Sequence, residues 1–131
     1  MSGTTSIATA LNDLLFDRQL DVDSAVTRHF ADGYRQRTDG VWSDRAEFAA
    51  HITHLREVLV GGHVEVHDEL IVGDRYADRH TVHANKIDGS AVAFEVLVFA
   101  ELTPDGRFQQ IIETTSMLSG GEGDQHLGSA R

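Results

Sequence analysis

The sequence predicts an α+β fold in which three N-terminal helices pack onto a curved antiparallel sheet. The first observation is a change in hydrophobic period, from 3.6 residues before Gly61 to 2 residues after Gly62. The second is that short connections rich in turn residues separate the later apolar segments, and short connections force neighbouring strands to run antiparallel. Helices followed by strands are typical of the α+β class.

Length and cysteine content indicate a single domain without covalent crosslinks. The chain has 131 residues, and we predict one domain over residues 1–118 and a flexible tail over residues 119–131, which are rich in glycine, serine and charge. The sequence contains no cysteine, which excludes disulfides, thiolate metal sites and cysteine nucleophiles. No signal peptide or membrane-spanning apolar run is recognisable, so we expect a cytoplasmic protein.

The net charge narrows the classes of partner. The formal charge is -10, from 21 acidic and 11 basic residues. Nucleic acids and anionic membranes require a basic surface, so we expect neither as a partner. The sequence has no glycine-rich phosphate loop after a strand and no G-x-S-x-G motif. We therefore expect no cofactor and no nucleophilic triad.

Capping residues and apolar stripes place the three helices. The first covers residues 5–17, Asp21 can cap the second, and Ser43 is predicted to cap the third with Asp44 in its first turn. Residues 33–40 predict irregular structure or a short strand. The third helix has the clearest core stripe, formed by Phe48, Ile52, Leu55 and Leu59.

The strands follow from alternation and turn chemistry. They are predicted over residues 63–72, 75–86, 91–102 and 107–118. A two-residue turn at Gly73–Asp74 would pair Val72 with Arg75 and so assign the faces of the first hairpin. The mostly apolar face should meet the helices and contains Val64, Val66, Leu70, Val72, Ala77, Arg79, Thr81 and His83. The charged face should meet water or a partner subunit and contains His63, Glu65, His67, Glu69, Asp78 and His80.

The polar residues predicted on the inner face are the candidate site. Arg79, Thr81 and His83 interrupt an apolar face, and polar groups buried there need partners or a purpose. Glu113 on the last strand is the nearest acidic candidate, although alternation alone leaves its face open. A carboxyl in an apolar pocket has a raised pKa, which a nearby arginine lowers again. Such a pair can act as general acid or base, and it is equally compatible with a structural ion pair.

The eight histidines raise a metal-binding alternative. His63, Glu65 and His67 point the same way along one strand, and their side chains are ligands for zinc or iron. A solvated polar face explains the same alternation, and we favour it, so no metal is expected. His51-x-x-His54 lacks the glutamate of a zincin motif.

Three short segments resemble a known family. They are Phe30–Tyr34 after the second helix, Gly73–Arg79 at the first hairpin and Asp105–Phe108 before the last strand. With the order of elements, they make the chain similar to SnoaL-like proteins of the nuclear transport factor 2-like superfamily, which includes polyketide cyclases, ketosteroid isomerases and limonene epoxide hydrolases. The resemblance implies a cone-shaped pocket between helices and sheet, and a homodimer formed through the sheet.

The resemblance also implies roles for individual residues. Glu113 looks like the acidic catalytic position of the cyclases and epoxide hydrolases, and Arg79 looks like the arginine of the epoxide hydrolase centre. The second acid of that centre falls at Thr81, and the oxyanion aspartate of the ketosteroid isomerases falls at Val98, so neither set is complete. His83 would assist proton transfer. The remaining predicted pocket-lining residues are Tyr34, Trp42, His51, Leu55, Val96, Ile111 and Thr115.

Three functions remain open from the sequence. The first is a pocket for a small, mostly apolar molecule with cofactor-free acid/base chemistry of cyclase, isomerase or hydrolase type. The second is a non-catalytic module for ligand binding or dimerisation. The third is a histidine-rich metal-binding protein. Leu97 and Phe99 fall on the outward face of the third strand, where a homodimer interface would explain them.

Overall fold

Three helices pack on a curved, mixed six-stranded sheet. The computed structural model describes residues 5–121, 123, 124 and 127. The helices are α1 (Ile7–Leu11), which continues as a π-helical segment (Asn12–Phe16), α2 (Val22–His29) and α3 (Arg45–Val58). The strands are β1 (Phe30–Thr38), β2 (Val41–Asp44), β3 (Leu59–Val72), β4 (Arg75–Lys86), β5 (Ala91–Leu102) and β6 (Phe108–Ser119).

The sheet order is β2-β1-β6-β5-β4-β3, with β1 parallel to β6 and every other pair antiparallel. The four predicted strands are confirmed within a few residues. The prediction of a purely antiparallel sheet is wrong, because residues 30–38 form a long strand beside β6. Tyr34, Gln36 and Thr38 are buried on this strand, whereas Arg35 and Arg37 between them are exposed. That alternation is the ordinary pattern of a half-buried strand.

Side-chain caps begin the helices. The Asp21 carboxylate accepts from the Ser24 backbone N–H, as predicted for α2. Asp44, not Ser43, caps α3, because the helix begins at Arg45 and Asp44 is the residue before it. The Asp44 side chain accepts from the Glu47 N–H while the Glu47 side chain accepts from the Asp44 N–H, a complete capping box.

A bulge in β3 decides which side chains of the first hairpin face inward. Val72 pairs with Arg75, as predicted, but Asp68 pairs with Arg79 and Val66 with His80. His67 is therefore one extra residue, and an extra residue moves all the positions beyond it to the opposite face. The bulge puts Val66 on the inner face with His80, whereas Leu70 and Val72 are 68% and 75% exposed on the face that also carries Arg79, so the predicted inner face of β4 is wrong. The inner face carries Tyr76, Asp78, His80 and Ala84, which are exposed by no more than 7%.

The core lies between the helices and the inner face of the sheet. Its centre is aromatic, with Phe30 contacting Tyr34, Phe48 and Phe108 at ring-centroid distances of 4.6, 4.9 and 5.7 Å. The predicted stripe of α3 is buried against it. Each large aromatic side chain removes about 150–250 Å² from water, so this cluster anchors the helical layer to β1 and β6.

Part of the predicted C-terminal tail packs on the domain. Leu127 is buried, and Lys86 Nζ lies 2.7 Å from Asp124 Oδ1, which is also buried. These two residues therefore do not fit a flexible segment. Residues 122, 125, 126 and 128–131 of the predicted tail lie outside the described residues.

Candidate functional site

A cavity of about 110 Å³ lies between α3 and the inner face of the sheet. Phe48, Ile52 and Leu55 line it from the helix, and Phe94 and Val96 line it from the centre of the sheet. Most of its wall is apolar because these faces also form the core. The polar groups that reach the cavity come from four elements and are His51, Tyr34, Gln36, His80, Glu113 and Thr115.

Glu113 lies on the inner face of β6, where it is half-buried at the cavity wall. The hydroxyl of Thr38 donates to Glu113 Oε2 at 3.1 Å. Burial raises the pKa of Glu113 to about 7, while the Thr38 hydrogen bond and His80 lower it, and the charges of Asp39 and Asp78 raise it further. A carboxyl that titrates near neutrality can both take up and release a proton at physiological pH.

His80 and Asp78 form a buried pair on β4. The distance from His80 Nδ1 to Asp78 Oδ1 is 2.9 Å, and the exposed fractions of the two side chains are 2% and 0%. His80 also lines the cavity. A carboxylate that holds one ring nitrogen of a histidine fixes the ring orientation, which directs the other nitrogen.

Tyr76 links this pair to the edge of the sheet. Its hydroxyl lies 3.0 Å from Asp78 Oδ2, contacts Glu69 and accepts from the Ile7 N–H at 3.2 Å. Burial, followed by the hydrogen bond to Glu69, raises the pKa of Tyr76. Because His67 is an extra residue in β3, Glu69 lies on the inner face of the sheet, where it pairs with Asp78.

A second polar chain runs along the inner face of β1. The Tyr34 hydroxyl donates to Gln36 Oε1 at 2.6 Å, and Gln36 Nε2 donates to Thr38 Oγ1 at 2.9 Å. Thr38 in turn donates to Glu113. Burial and the charge of Glu113 raise the pKa of Tyr34 well above its ordinary value. Three polar side chains at alternate positions of β1 thus form a chain of hydrogen bonds that ends at Glu113, the carboxyl of β6 at the cavity wall.

Arg79 and His83 do not lie in the cavity. Both point outward on β4, since the bulge reverses the predicted faces. Arg79 Nε is 2.9 Å from Asp68 Oδ2 and its Nη1 is 3.3 Å from Glu95 Oε2. The predicted pairing of Arg79 with Glu113 is therefore wrong. His83 Nε2 lies 3.2 Å from Glu65 Oε1, also on the outer face.

The other predicted site residues divide into two groups. The first group lines the cavity and comprises Tyr34, His51, Leu55, Val96, Ile111 and Thr115. The second group does not: Trp42 is 45% exposed with Arg35 over its ring, Val98 belongs to the packed core, and Thr81 is buried on the outer face. His67 Nε2 lies 2.8 Å from Thr81 Oγ1, which accounts for this buried hydroxyl.

Four residues of the site escaped the sequence analysis. The sequence predicts Asp78 and His80 on the outer face, and it predicts irregular structure or a short strand for residues 33–40, which include Gln36 and Thr38. The signal for β1 was the alternation of arginines with Tyr34, Gln36 and Thr38.

The outer face carries the histidines that suggested a metal site. His63 and His83 stack with ring centroids 4.6 Å apart. Over the described ranges 5–121, 123, 124 and 127, no three His, Asp or Glu side chains are grouped to hold a metal ion. In the same part of the chain, no helix is long and apolar enough to cross a membrane.

Several solved structures share this fold. A protein of unknown function from Exiguobacterium sp. 255-15, described as NTF2-like, has a TM-score of 0.64 at 16% identity, over 82% of this chain and 96% of the other. A protein of ketosteroid isomerase-like fold from Catenulispora acidiphila has a TM-score of 0.62 at 13% identity, over 85% of each chain. A SnoaL-like family protein from Agrobacterium tumefaciens C58 has a TM-score of 0.56 at 17% identity, over 82% and 92%.

Sequence similarity gives one relative. The chain is 33% identical over 98 residues to the uncharacterized protein C11D3.04c of Schizosaccharomyces pombe, which covers 75% of each protein. No protein-family model matches the chain. The solved structures above show the fold that the chain shares with NTF2-like and SnoaL-like proteins, and the chain belongs to one family with this fission-yeast protein.

Proposed function

We propose that the cavity binds a small, mostly apolar molecule and that Glu113 exchanges a proton with it without a cofactor. The observation that carries this proposal is a carboxyl with a pKa of about 7 at the wall of an apolar cavity. General acid/base catalysis is most efficient when the pKa of the group lies near the working pH. Burial of a carboxyl lowers the stability of the folded protein. A role in function explains why such a residue is retained despite this cost.

The His80–Asp78 pair would supply the second proton-transfer group. His80 lines the same cavity from β4 while Glu113 lines it from β6 on the same face of the sheet, so a ligand in the cavity can contact both. Asp78 holds His80 Nδ1, which directs Nε2 away from the pair. Glu113 and His80 could then act as acid and base on one ligand, and such a pair is suited to proton transfer, cyclisation or water addition.

The size of the cavity limits the ligand. Drug-sized ligands occupy pockets of about 300–1,000 Å³, whereas an engineered cavity of about 150 Å³ binds benzene. A cavity of about 110 Å³ therefore suits a ligand no larger than benzene, with roughly four to six non-hydrogen atoms. The Catenulispora protein was crystallised in complex with trimethylamine, which is also a small molecule.

Deuterium uptake by small ring ketones tests this function without knowledge of the natural substrate. Cyclobutanone and cyclopentanone carry acidic C–H protons beside the carbonyl and fit the proposed size. In D₂O at pH 7, we expect the protein to accelerate deuterium uptake, and Glu113→Gln to reduce the acceleration at least about a hundredfold. Proton NMR of the ketone follows the exchange.

The control is Glu95→Gln, because Glu95 lies on the outer face beside Arg79. This variant should exchange deuterium at the wild-type rate. Equal rates for wild type and Glu113→Gln would remove Glu113 from the chemistry. Bound ketone that is recovered without deuterium would instead identify a binding protein.

We further propose that the outer face of β5 and β6 forms a homodimer contact. Leu97, Phe99 and Ile112 are exposed by 49%, 52% and 37%, and Phe99 pairs directly with Ile112 across the two strands. A contiguous apolar patch on a sheet face is typical of an interaction surface. The charged residues Arg79 and Glu95 on the same face would form the polar rim of the contact.

Phe99→Glu is expected to convert the dimer into a monomer. A buried carboxylate on each side of the contact would lack a partner and repel its symmetry mate. Sedimentation equilibrium measures the change in mass. Ile87→Glu, at a 72% exposed position in the β4–β5 turn, should leave the mass unchanged. A wild-type protein that sediments as a monomer at 100 μM would contradict the proposal.

A further inference from the structure

The hydrogen bonds along β1 all run in one direction: Tyr34 donates to Gln36, Gln36 donates to Thr38, and Thr38 donates to Glu113. Tyr34, Gln36 and Thr38 are exposed by only 1%, 4% and 1%, so bulk water does not compete for the hydrogen bonds between them. We propose that Gln36 is a positioning residue that fixes the direction of this chain, so that Thr38 donates to Glu113 Oε2 and leaves Oε1 as the oxygen that takes the proton. This inference rests on the proposed function only for the role of that proton.

The single hydroxyl proton of Thr38 determines which of its neighbours can accept a hydrogen bond from it. Thr38 has a single hydroxyl proton, and Gln36 Nε2, which has no acceptor capacity, donates to Thr38 Oγ1 at 2.9 Å. The Thr38 proton is therefore left for Glu113, whose Oε2 lies at 3.1 Å. If the Gln36 amide were turned over, its oxygen would compete for the Thr38 proton and the carboxylate would lose its donor.

Tyr34 holds the amide in the required orientation. Its hydroxyl donates to Gln36 Oε1 at 2.6 Å, which places the amide oxygen at Tyr34 and the amide nitrogen at Thr38. The pKa of Tyr34 is raised by burial, so the phenol keeps its proton at neutral pH. That proton is committed to Gln36. Tyr34 therefore does not protonate a ligand, although it lines the cavity.

Other charged groups act on Glu113 but do not depend on this chain. Asp39 beyond β1 and Asp78 on β4 raise its pKa by their charge, and His80 lowers it. His51 lines the same cavity from α3. Substitutions of Tyr34, Gln36 and Thr38 by uncharged residues alter the hydrogen bonds and leave these charges in place.

The test is the titration of Glu113 in a series of variants along the chain. The carboxyl carbon of Glu113 is followed by ¹³C NMR and assigned by its absence in Glu113→Gln. We expect Thr38→Val to raise the pKa of Glu113 by about one unit, because a hydrogen bond to a charged group is lost. Gln36→Leu should raise it by less, and Tyr34→Phe by a few tenths of a unit, as hydrogen bonds in a chain strengthen one another by roughly 10–30%.

Matched variants separate positioning from general disturbance of the fold. Thr38→Ser keeps the hydroxyl and should titrate like wild type. Gln109→Leu makes the same chemical change as Gln36→Leu at an exposed position of β6 and should have no effect. Tyr34→Phe and Thr38→Ser are nearly isosteric, so the series remains informative even if Gln36→Leu does not fold.

The outcomes distinguish this inference from the proposed function. An unchanged Glu113 titration in Tyr34→Phe and Gln36→Leu overturns the positioning role of Gln36, even if Thr38→Val shifts it. Graded shifts without any deuterium uptake by ring ketones would refute the proposed function and leave the positioning role intact. Deuterium uptake that depends on Glu113, without graded shifts, would do the reverse.

Discussion

Asp78→Ala is expected to lower the free energy of unfolding by about 2–5 kcal/mol at pH 7. The Asp78 side chain is fully buried and lies within hydrogen-bond distance of both His80 and Tyr76. Its removal leaves the imidazole of His80 without its acceptor inside the protein, which costs about 1–3 kcal/mol, and takes one of two carboxylates from the Tyr76 hydroxyl, which keeps Glu69. Urea denaturation followed by circular dichroism measures the change.

Asp68→Ala is the matched control. Asp68 lies ten positions earlier, on the outer face, where its carboxylate pairs with Arg79 at 2.9 Å. The two side chains of this pair are 44% and 68% exposed, and such surface pairs contribute about 0–1 kcal/mol. A larger loss for Asp68→Ala than for Asp78→Ala would mean that the two faces of the first hairpin are reversed.

Glu113→Gln is expected to stabilise the protein increasingly as the pH rises. Folding raises the pKa of Glu113 from 4.5 to about 7, so the folded state binds more protons than the unfolded state between these values. Stability therefore falls as the pH rises through this interval. At 1.36 kcal/mol per unit, the cost to the wild type reaches about 3 kcal/mol above pH 8. Glutamine does not titrate, so the variant avoids this cost.

The measurement is the difference in unfolding free energy between variant and wild type at several pH values. We expect a difference near zero at pH 4, where Glu113 is protonated, and a rise that is complete by pH 8. Glu57→Gln, at a 72% exposed position of α3, should give a flat profile. A flat profile for Glu113→Gln would show that its carboxyl is solvated in the folded protein.

The three helices and the four strands that follow α3 could be predicted because their signals are local. The period of α3, the cap at Asp21 and the turns between β3 and β6 each involve only a few neighbouring residues. Residues 33–40 predict irregular structure or a short strand, whereas β1 is a strand of nine residues over Phe30–Thr38. The partner of β1 is β6, which lies too far along the chain for its pairing to appear in a local pattern.

Asp78 and His80 could not be predicted as site residues, and the reason is one residue, the bulge at His67. A bulge leaves no mark in hydropathy, and the residues around His67 alternate as well without it as with it. Without a bulge, the apolar residues Val66 and Val72 share one face of the hairpin with Arg79. The sequence therefore predicts Arg79 on the inner face and His80 on the outer face. Glu113 was identified because its position relative to Gly106 resembled the family, whereas Gln36 and Thr38 become relevant only when β1 lies beside β6.

The parallel contact between β1 and β6 also sets the order in which the molecule can assemble. Thr38 and Glu113 are separated by 75 positions, whereas β3 through β6 associate through short hairpins. Closing such a long loop is entropically costly, so contacts of this kind form late during folding. We therefore expect a ribosome-bound chain that ends before β6 to lack the pair formed by Thr38 and Glu113. The cavity is then completed only in the last stage of folding.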